Sequence, residues 1–94
     1  LPAHAAKLGE AAARRIRSFK NAATRIREVR GRGLMIGIEL AIPDATPVVQ
    51  AALAAGLVIN ATQKNVLRLS PALTITEQSL AAGLDLLERA IDAI

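Results

Sequence analysis

Apolar residues near the start of the chain recur with the period of an α-helix. They lie four, four and three residues apart, at Leu8, Ala12, Ile16 and Phe19. This spacing places them on one face of a helix, and the basic residues among them fall off that face. The pattern therefore predicts an amphipathic helix from Ala3 to about Lys20, which ends at Asn21.

Two strands are predicted after this helix. Thr24–Val29 is typical of a short, partly exposed strand, and Leu34–Ile42 of a buried strand rich in Ile and Leu. The connection predicts a tight turn, because its glycines, Gly31 and Gly33, permit backbone conformations that other residues disfavour. Gly37, inside the second strand, indicates a glycine used for close packing.

The second half of the chain predicts two more helices and a second pair of strands. A helix with Thr46 as N-cap and Pro47 at its first position runs to Ala55, and Gly56 suits its left-handed C-terminal residue. Short strands cover residues 57–60 and 66–70 on either side of a polar connection at 61–65. A last helix begins near Thr76, with Leu80, Leu84, Leu87 and Ile91 at helical spacing. The predicted order is α-β-β-α-β-β-α. Such an order in a single unit without linkers is typical of a two-layer α+β domain with a small, mostly antiparallel sheet.

The composition excludes several kinds of chemistry. The 94 residues contain no Cys and a single His, His4, near one end of the chain, where we expect no specific role. A disulfide scaffold, a thiolate or histidine metal site and a Ser-His-Asp triad are therefore not expected. No apolar run is long enough for a membrane span, and the first residues lack the pattern of a signal peptide. We expect a cytoplasmic protein with no membrane partner.

Basic residues are concentrated in one part of the chain. The net charge is +4, and most of the Lys and Arg residues lie between Arg14 and Arg32. Clustered arginines suit contacts with phosphate groups. However, no aromatic residue lies beside them to stack on bases, since Phe19 belongs to the apolar face. We therefore expect a solvated surface or one covered by another domain, and we do not expect nucleic acid as a partner.

Two charged residues within apolar strands are candidates for function. Glu39 needs a partner or water in such a strand, and we expect it to face solvent or another chain rather than to act in catalysis. Strand alternation places Leu67 and Leu69 on one face and Arg68 on the other. A guanidinium held on a strand suits a bidentate contact with a carboxylate, and a surface salt bridge is the alternative.

Two passages of the chain resemble a known family. Residues 29–40 are similar to the VRGxGLxxGIEL passage of the class III, pyridoxal-phosphate-dependent aminotransferases. Residues 56–76 resemble their GLLVN…NVxRLxPPLxIT passage, with Ser70 and Ala72 as departures. The resemblance covers essentially the whole chain. Within the class it is greatest to acetylornithine aminotransferases, which Asn60 favours, and ornithine and 4-aminobutyrate aminotransferases are neighbours.

The resemblance implies a domain and a role for Arg68. Residues 1–94 would form the C-terminal small domain, or a fragment, of a fold-type I transferase, packed against a large cofactor-binding domain in a homodimer. Arg68 would bind the α-carboxylate of the small-molecule amino and oxo acids, as N-acetylornithine passes its amino group to 2-oxoglutarate in arginine biosynthesis.

The resemblance also implies where the cofactor is held. The large domain would bind pyridoxal 5'-phosphate, because Lys7, Lys20 and Lys64 match no Schiff-base motif. No catalytic, cofactor-binding or metal-binding residue is therefore assigned here, and the segment alone is predicted to be inactive. The alternative from another class is a free-standing α+β module that binds nucleic acid or a small effector.

Overall fold

The computed structural model of the chain describes residues 3–32, 35–54, 56, 59–70 and 76–93, without the side chains of residues 4, 5, 32 and 62. Its helices are α1 (Ala3–Arg17), α2 (Ala22–Arg25), α3 (Thr46–Ala54) and α4 (Glu77–Asp92). Its strands are β1 (Ile26–Arg32), β2 (Met35–Leu40), β3 (Asn60–Gln63) and β4 (Val66–Leu69). The side chain of His4 and the turn position of Gly33 lie outside the described part.

The four strands form one antiparallel sheet in the order β1-β2-β4-β3. The predicted class, a small α+β domain with an antiparallel sheet, is therefore confirmed. The order of elements differs from the prediction by one short helix, α2. Helix α1 ends earlier than predicted, and Asn21 then begins a new turn, in which its carbonyl accepts hydrogen bonds from the backbone N–H groups of Thr24 and Arg25.

The helices cover one face of this sheet. Helix α1 packs on β1 and β2, α3 contacts β3, and α4 lies against α1 and α3. The alternate residues of β2, Ile36, Ile38 and Leu40, have no exposed surface and join Leu67 of β4 in the core. Burial of each such side chain contributes about 1.5–3 kcal/mol, so the period of two fixes which face turns inward. The opposite face, which we call the open face, carries Met35, Gly37, Glu39 and Arg68.

Strand β1 continues past its predicted end at Val29 into residues that were predicted to form a turn. Arg30 and Gly31 belong to the strand and pair with Gly37 and Ile36 of β2, so the prediction of a turn at Gly31 is wrong. Pairing with β2 gives these residues ladder hydrogen bonds that a local pattern does not reveal. A Cβ placed on Gly31 would lie 3.7 Å from the Cβ of Ala13, which is an ordinary packing distance.

Strand β3 also extends into the predicted connection. The predicted polar connection 61–65 is wrong for its first three residues, which belong to β3, and the turn occupies Lys64 and Asn65. Polar side chains are tolerated there because the strand forms an edge of the sheet. Two hydrogen bonds hold this turn in place. The Asn65 side chain donates its Nδ2–H to the Leu40 carbonyl at 3.1 Å, and the Lys64 carbonyl accepts a bond from the Ala45 N–H at 2.7 Å.

The predicted glycine signal at the end of α3 is confirmed, and α4 begins at Glu77, close to the predicted start at Thr76. Gly56 follows α3 with a φ of 97°, a left-handed conformation that suits glycine. The Thr76 hydroxyl accepts a hydrogen bond from the Ser79 N–H at 3.1 Å and caps α4. Thr46, however, is the first residue of α3 rather than the residue before it. Within the described ranges, no helix is long and apolar enough to cross a membrane.

Candidate functional site

Four residues form a row across the open face. The register pairs Arg30 of β1 with Gly37 of β2, Gly37 with Arg68 of β4, and Arg68 with Asn60 of β3. Directly paired residues of antiparallel strands project to the same face of the sheet. Gly37 therefore lies between Arg30 and Arg68 in the row, and Asn60 lies on the far side of Arg68.

Arg68 is held on an inner strand of the sheet. Strand β4 has a hydrogen-bonded neighbour on each side, and the flanking Leu67 is only 1% exposed, so the backbone at Arg68 is fixed by the core. The side chain of Arg68 is exposed on the open face, as alternation predicts. Among the described residues it has neither an ion-pair nor a side-chain hydrogen-bond partner. The alternative of a surface salt bridge is therefore not realised within that part of the chain.

Gly37 leaves space beside this guanidinium. A Cβ built on Gly37 would meet no atom within 4 Å, so the prediction of a glycine used for close packing is wrong. The space belongs to a shallow depression of about 300 Å³ on the open face, which Met35, Gly37, Val66 and Arg68 help to line. Met35 and Val66 give it apolar walls, and Arg68 and Arg30 give it cationic groups. The depression thus combines features suited to a small organic carboxylate.

Glu39 lies on the open face and is held by two arginines. Its Oε1 atom accepts a hydrogen bond from Arg30 Nη2 at 2.9 Å, and its Oε2 atom accepts one from Arg27 Nη1 at 3.3 Å. Arg30 also lies 3.4 Å from Glu28. Glu39 is therefore engaged with neighbouring strand residues rather than placed as an isolated acid.

Other arginines of the basic segment bind distant parts of the fold. Arg15 donates to the Ala81 carbonyl at 3.0 Å and forms an ion pair with Asp85 on α4. Arg25 donates to the carbonyls of Ile91 and Asp92, at 3.0 and 2.6 Å, at the end of the same helix. These contacts stabilise the packing of helices and do not form a phosphate-binding surface. Sequence reasoning missed them because the partners lie more than 60 residues away along the chain.

The described lysines do not fit a Schiff-base site. A lysine that reacts with a cofactor aldehyde is usually desolvated and close to other charged groups of an enclosed site. Lys7, Lys20 and Lys64 are all exposed, and Lys20 lies 3.9 Å from Asp92 at the surface. Within the described ranges there is also no group of three or more His, Cys, Asp or Glu residues that could hold a metal ion. What the described open face does present is an exposed guanidinium, a group whose geometry suits a carboxylate.

Comparisons with known proteins agree on one family. The model of the family described as aminotransferase class-III matches residues 1–91. A leucine/methionine racemase of Thermococcus litoralis is 44% identical over 96 residues, which covers 93% of this chain and 22% of the relative. An acetylornithine aminotransferase of Caldanaerobacter subterraneus is 41% identical over 69 residues, or 73% of this chain and 18% of the relative.

A solved structure gives the same result for the fold. The N-acetylornithine aminotransferase of Stenotrophomonas maltophilia superposes with a TM-score of 0.88 at 32% identity, over 97% of this chain and 26% of that one. The chain thus spans about a quarter or less of the length of the proteins that it matches.

Proposed function

Since the chain belongs to the class-III aminotransferase family, we propose that it is the part of such an enzyme that binds the substrate α-carboxylate through Arg68. The observation that supports this proposal is a difference in ion pairing among the arginines of the open face. Arg27 and Arg30 are paired with Glu39, whereas Arg68 has no ion-pair partner among the described residues and faces the space beside Gly37.

One arginine is sufficient for both substrates of a transamination. In the oxo acid the α-carboxylate lies next to the carbon that gains the amino group, whereas in N-acetylornithine, whose α-amino group is acetylated, it lies at the opposite end of the molecule from the amine that is transferred. A guanidinium that binds the carboxylate would therefore fix the reacting carbon of the oxo acid directly and would hold the far end of the donor. A charge-assisted bidentate contact contributes about 1.5–3 kcal/mol when it is partly removed from water. Arg68 would therefore orient the substrate and take no part in proton transfer.

The amino donor in this proposal is N-acetylornithine and the acceptor is 2-oxoglutarate. The names of two proteins that this chain resembles, at 41% and 32% identity, support that choice. The reaction would belong to arginine biosynthesis. Pyridoxal 5'-phosphate and its lysine would be supplied by a large domain of the same polypeptide outside this chain, in a cytoplasmic homodimer. The described lysines of this chain do not fit a Schiff base with the cofactor, so the cofactor chemistry would belong to the large domain.

Donor preference in the full-length protein tests the substrate assignment. Initial rates would be measured with 2-oxoglutarate and, in turn, N-acetylornithine, ornithine and 4-aminobutyrate as donors. The proposal expects the highest kcat/KM with N-acetylornithine. A higher value with ornithine or 4-aminobutyrate would assign the protein to a neighbouring aminotransferase. Absence of transamination with all three donors would refute the proposed reaction.

Racemisation of an amino acid is a second candidate. It is favoured by the 44% identity to a leucine/methionine racemase, which extends over 93% of the chain. A racemase also needs an anchor for the α-carboxylate, but it needs no oxo acid. Formation of D-leucine or D-methionine from the L-isomer, with no 2-oxoglutarate present, would support this candidate. Its absence, together with transamination of N-acetylornithine, would exclude it.

A further inference from the structure

Among the described residues, two of the three arginines on the open face form ion pairs and the third does not. Glu39 binds Arg30 with one carboxylate oxygen, at 2.9 Å, and Arg27 with the other, at 3.3 Å. Arg68 lies two strands from Arg30, on the other side of Gly37, and is unpaired among the described residues. One carboxylate thus engages two of these three guanidinium groups and leaves the third available.

An irregularity in β1 produces this arrangement. The register shifts between Ile26 and Glu28, so that Arg27 is an extra residue in the pairing of β1 with β2. Such a bulge re-aims side chains, and here both Arg27 and Glu28 come to lie opposite Glu39. The Glu39 side chain is 21% exposed, whereas that of Arg30 is 60% exposed. Glu39 is therefore the less solvated member of its ion pair and is positioned to hold both arginines.

The positions of Arg30 and Arg68 bring two cations within reach of one ligand. Their backbones are two strand spacings apart, or roughly 10 Å. Gly37 lies between them, and its missing side chain leaves the intervening space clear. Both residues line the same depression. A guanidinium released from Glu39 would consequently reach a ligand already bound to Arg68.

We propose that Glu39 determines the carboxylate selectivity of this face, because it engages Arg27 and Arg30 and leaves Arg68 to bind a single carboxylate. With Glu39 in place, this face gives a dicarboxylate no second cationic contact. Without its charge, Arg30 retains only the 3.4 Å contact with the exposed Glu28 and becomes available as a second contact. The inference rests on the proposed role of Arg68 and adds a residue that sets specificity at the same site. Glu39 acts through Arg30 and is a positioning residue.

The test compares a dicarboxylate with a monocarboxylate of similar size. Equilibrium dissociation constants of the full-length protein for glutarate and butyrate would be measured by calorimetry for the wild type, Glu39→Gln and Glu28→Gln. Both variants remove one negative charge from the open face, but among the described residues Glu28 forms an ion pair with Arg30 alone, at 3.4 Å. We expect Glu39→Gln to strengthen glutarate binding relative to butyrate by up to about fivefold, as for one exposed ion pair. Glu28→Gln should change this ratio less.

A double variant identifies the cation responsible. Adding Arg30→Gln to Glu39→Gln should return the ratio of the two dissociation constants to the wild-type value. The inference is overturned if Glu39→Gln leaves the ratio unchanged, if Glu28→Gln changes it equally, or if the gain persists without Arg30. Thermal unfolding of each variant checks that the protein is folded.

The same binding experiment separates this inference from the proposed function. If Arg68→Ala weakens binding of both acids while Glu39→Gln leaves their ratio unchanged, only the role of Glu39 fails. If Arg68→Ala has no effect on either acid, the role of Arg68 fails as well. A changed ratio in a protein that does not transaminate would support Glu39 and refute the reaction. Binding does not require turnover, so each result can be obtained independently.

Discussion

Arg68 lies directly opposite Gly37 in the antiparallel pairing of β4 with β2, and both face away from the helices. The glycine gives the arginine an unobstructed neighbour on the sheet, since no atom lies within 4 Å of the position that a Cβ would occupy. The relationship places a cation on a rigid strand beside an open space on the sheet. A larger residue at position 37 should therefore affect ligand binding without an equal effect on stability.

Substitutions of Gly37 should affect binding more than folding. Gly37→Ala adds a methyl group to open space and replaces a strand glycine, so the free energy of unfolding should stay the same or rise by about 0.5–1 kcal/mol. Gly37→Leu extends into the depression and should raise the KM of both the amino donor and 2-oxoglutarate. Urea unfolding and steady-state kinetics of the full-length protein measure the two effects. Unchanged KM values for Gly37→Leu would show that the substrate does not occupy this space.

Arg25 should contribute to stability through the end of α4. Its guanidinium donates to two carbonyls of the last turn, whose ordinary i+4 N–H donors would lie beyond the end of the helix. Arg25→Ala should lower the free energy of unfolding by about 1.5–3 kcal/mol, because hydrogen bonds from a charged donor are lost at a half-buried position. Arg14→Ala is the matched control, since Arg14 is exposed on α1. Equal effects of the two substitutions in urea unfolding would argue against the capping role.

Asp44 should make a small part of the stability dependent on pH. Hydrogen bonds from the hydroxyl and backbone N–H of Thr46, at 2.7 and 2.9 Å, lower the pKa of Asp44 below its ordinary value of 3.8. A carboxylate with a lowered pKa in the folded state stabilises it above the unfolded pKa, and the contribution is lost as the pH falls through the folded pKa. Asp44→Asn keeps an acceptor oxygen and removes the charge.

The pH dependence can be measured by thermal unfolding. The difference in Tm between the wild type and Asp44→Asn should be largest near neutral pH. It should decrease once the pH falls below the ordinary Asp value of 3.8. A difference that is constant from neutral pH to pH values well below that point would contradict the assigned hydrogen bonds.

The sequence predicted the elements whose signals are local. The apolar spacing of α4, its start near Thr76 and the left-handed Gly56 depend on neighbouring residues, and the structure agrees with each. The face of Arg68 followed from alternation within five residues of strand. These features are set by propensity and period, which a single sequence displays.

Features that depend on distant partners could not be predicted in this way. Strand β1 continues through Gly31 because β2 pairs with it, and no local signal distinguishes such a strand from a turn. The bulge at Arg27 and its contact with Glu39 require the register of two strands. Arg15 and Arg25 were grouped by charge along the chain, whereas their partners on α4 lie more than 60 residues away.

The kinetics of Arg68 variants in the full-length protein test the central claim most directly. If Arg68 binds the α-carboxylate, Arg68→Ala should lower kcat/KM by roughly 10–150-fold for both the amino donor and 2-oxoglutarate, the equivalent of about 1.5–3 kcal/mol. Arg68→Lys keeps the charge without the bidentate geometry and should give an intermediate value. Arg89→Ala, at an exposed arginine on α4, is the control. Values for Arg68→Ala within about twofold of the wild type for both substrates would contradict the claim.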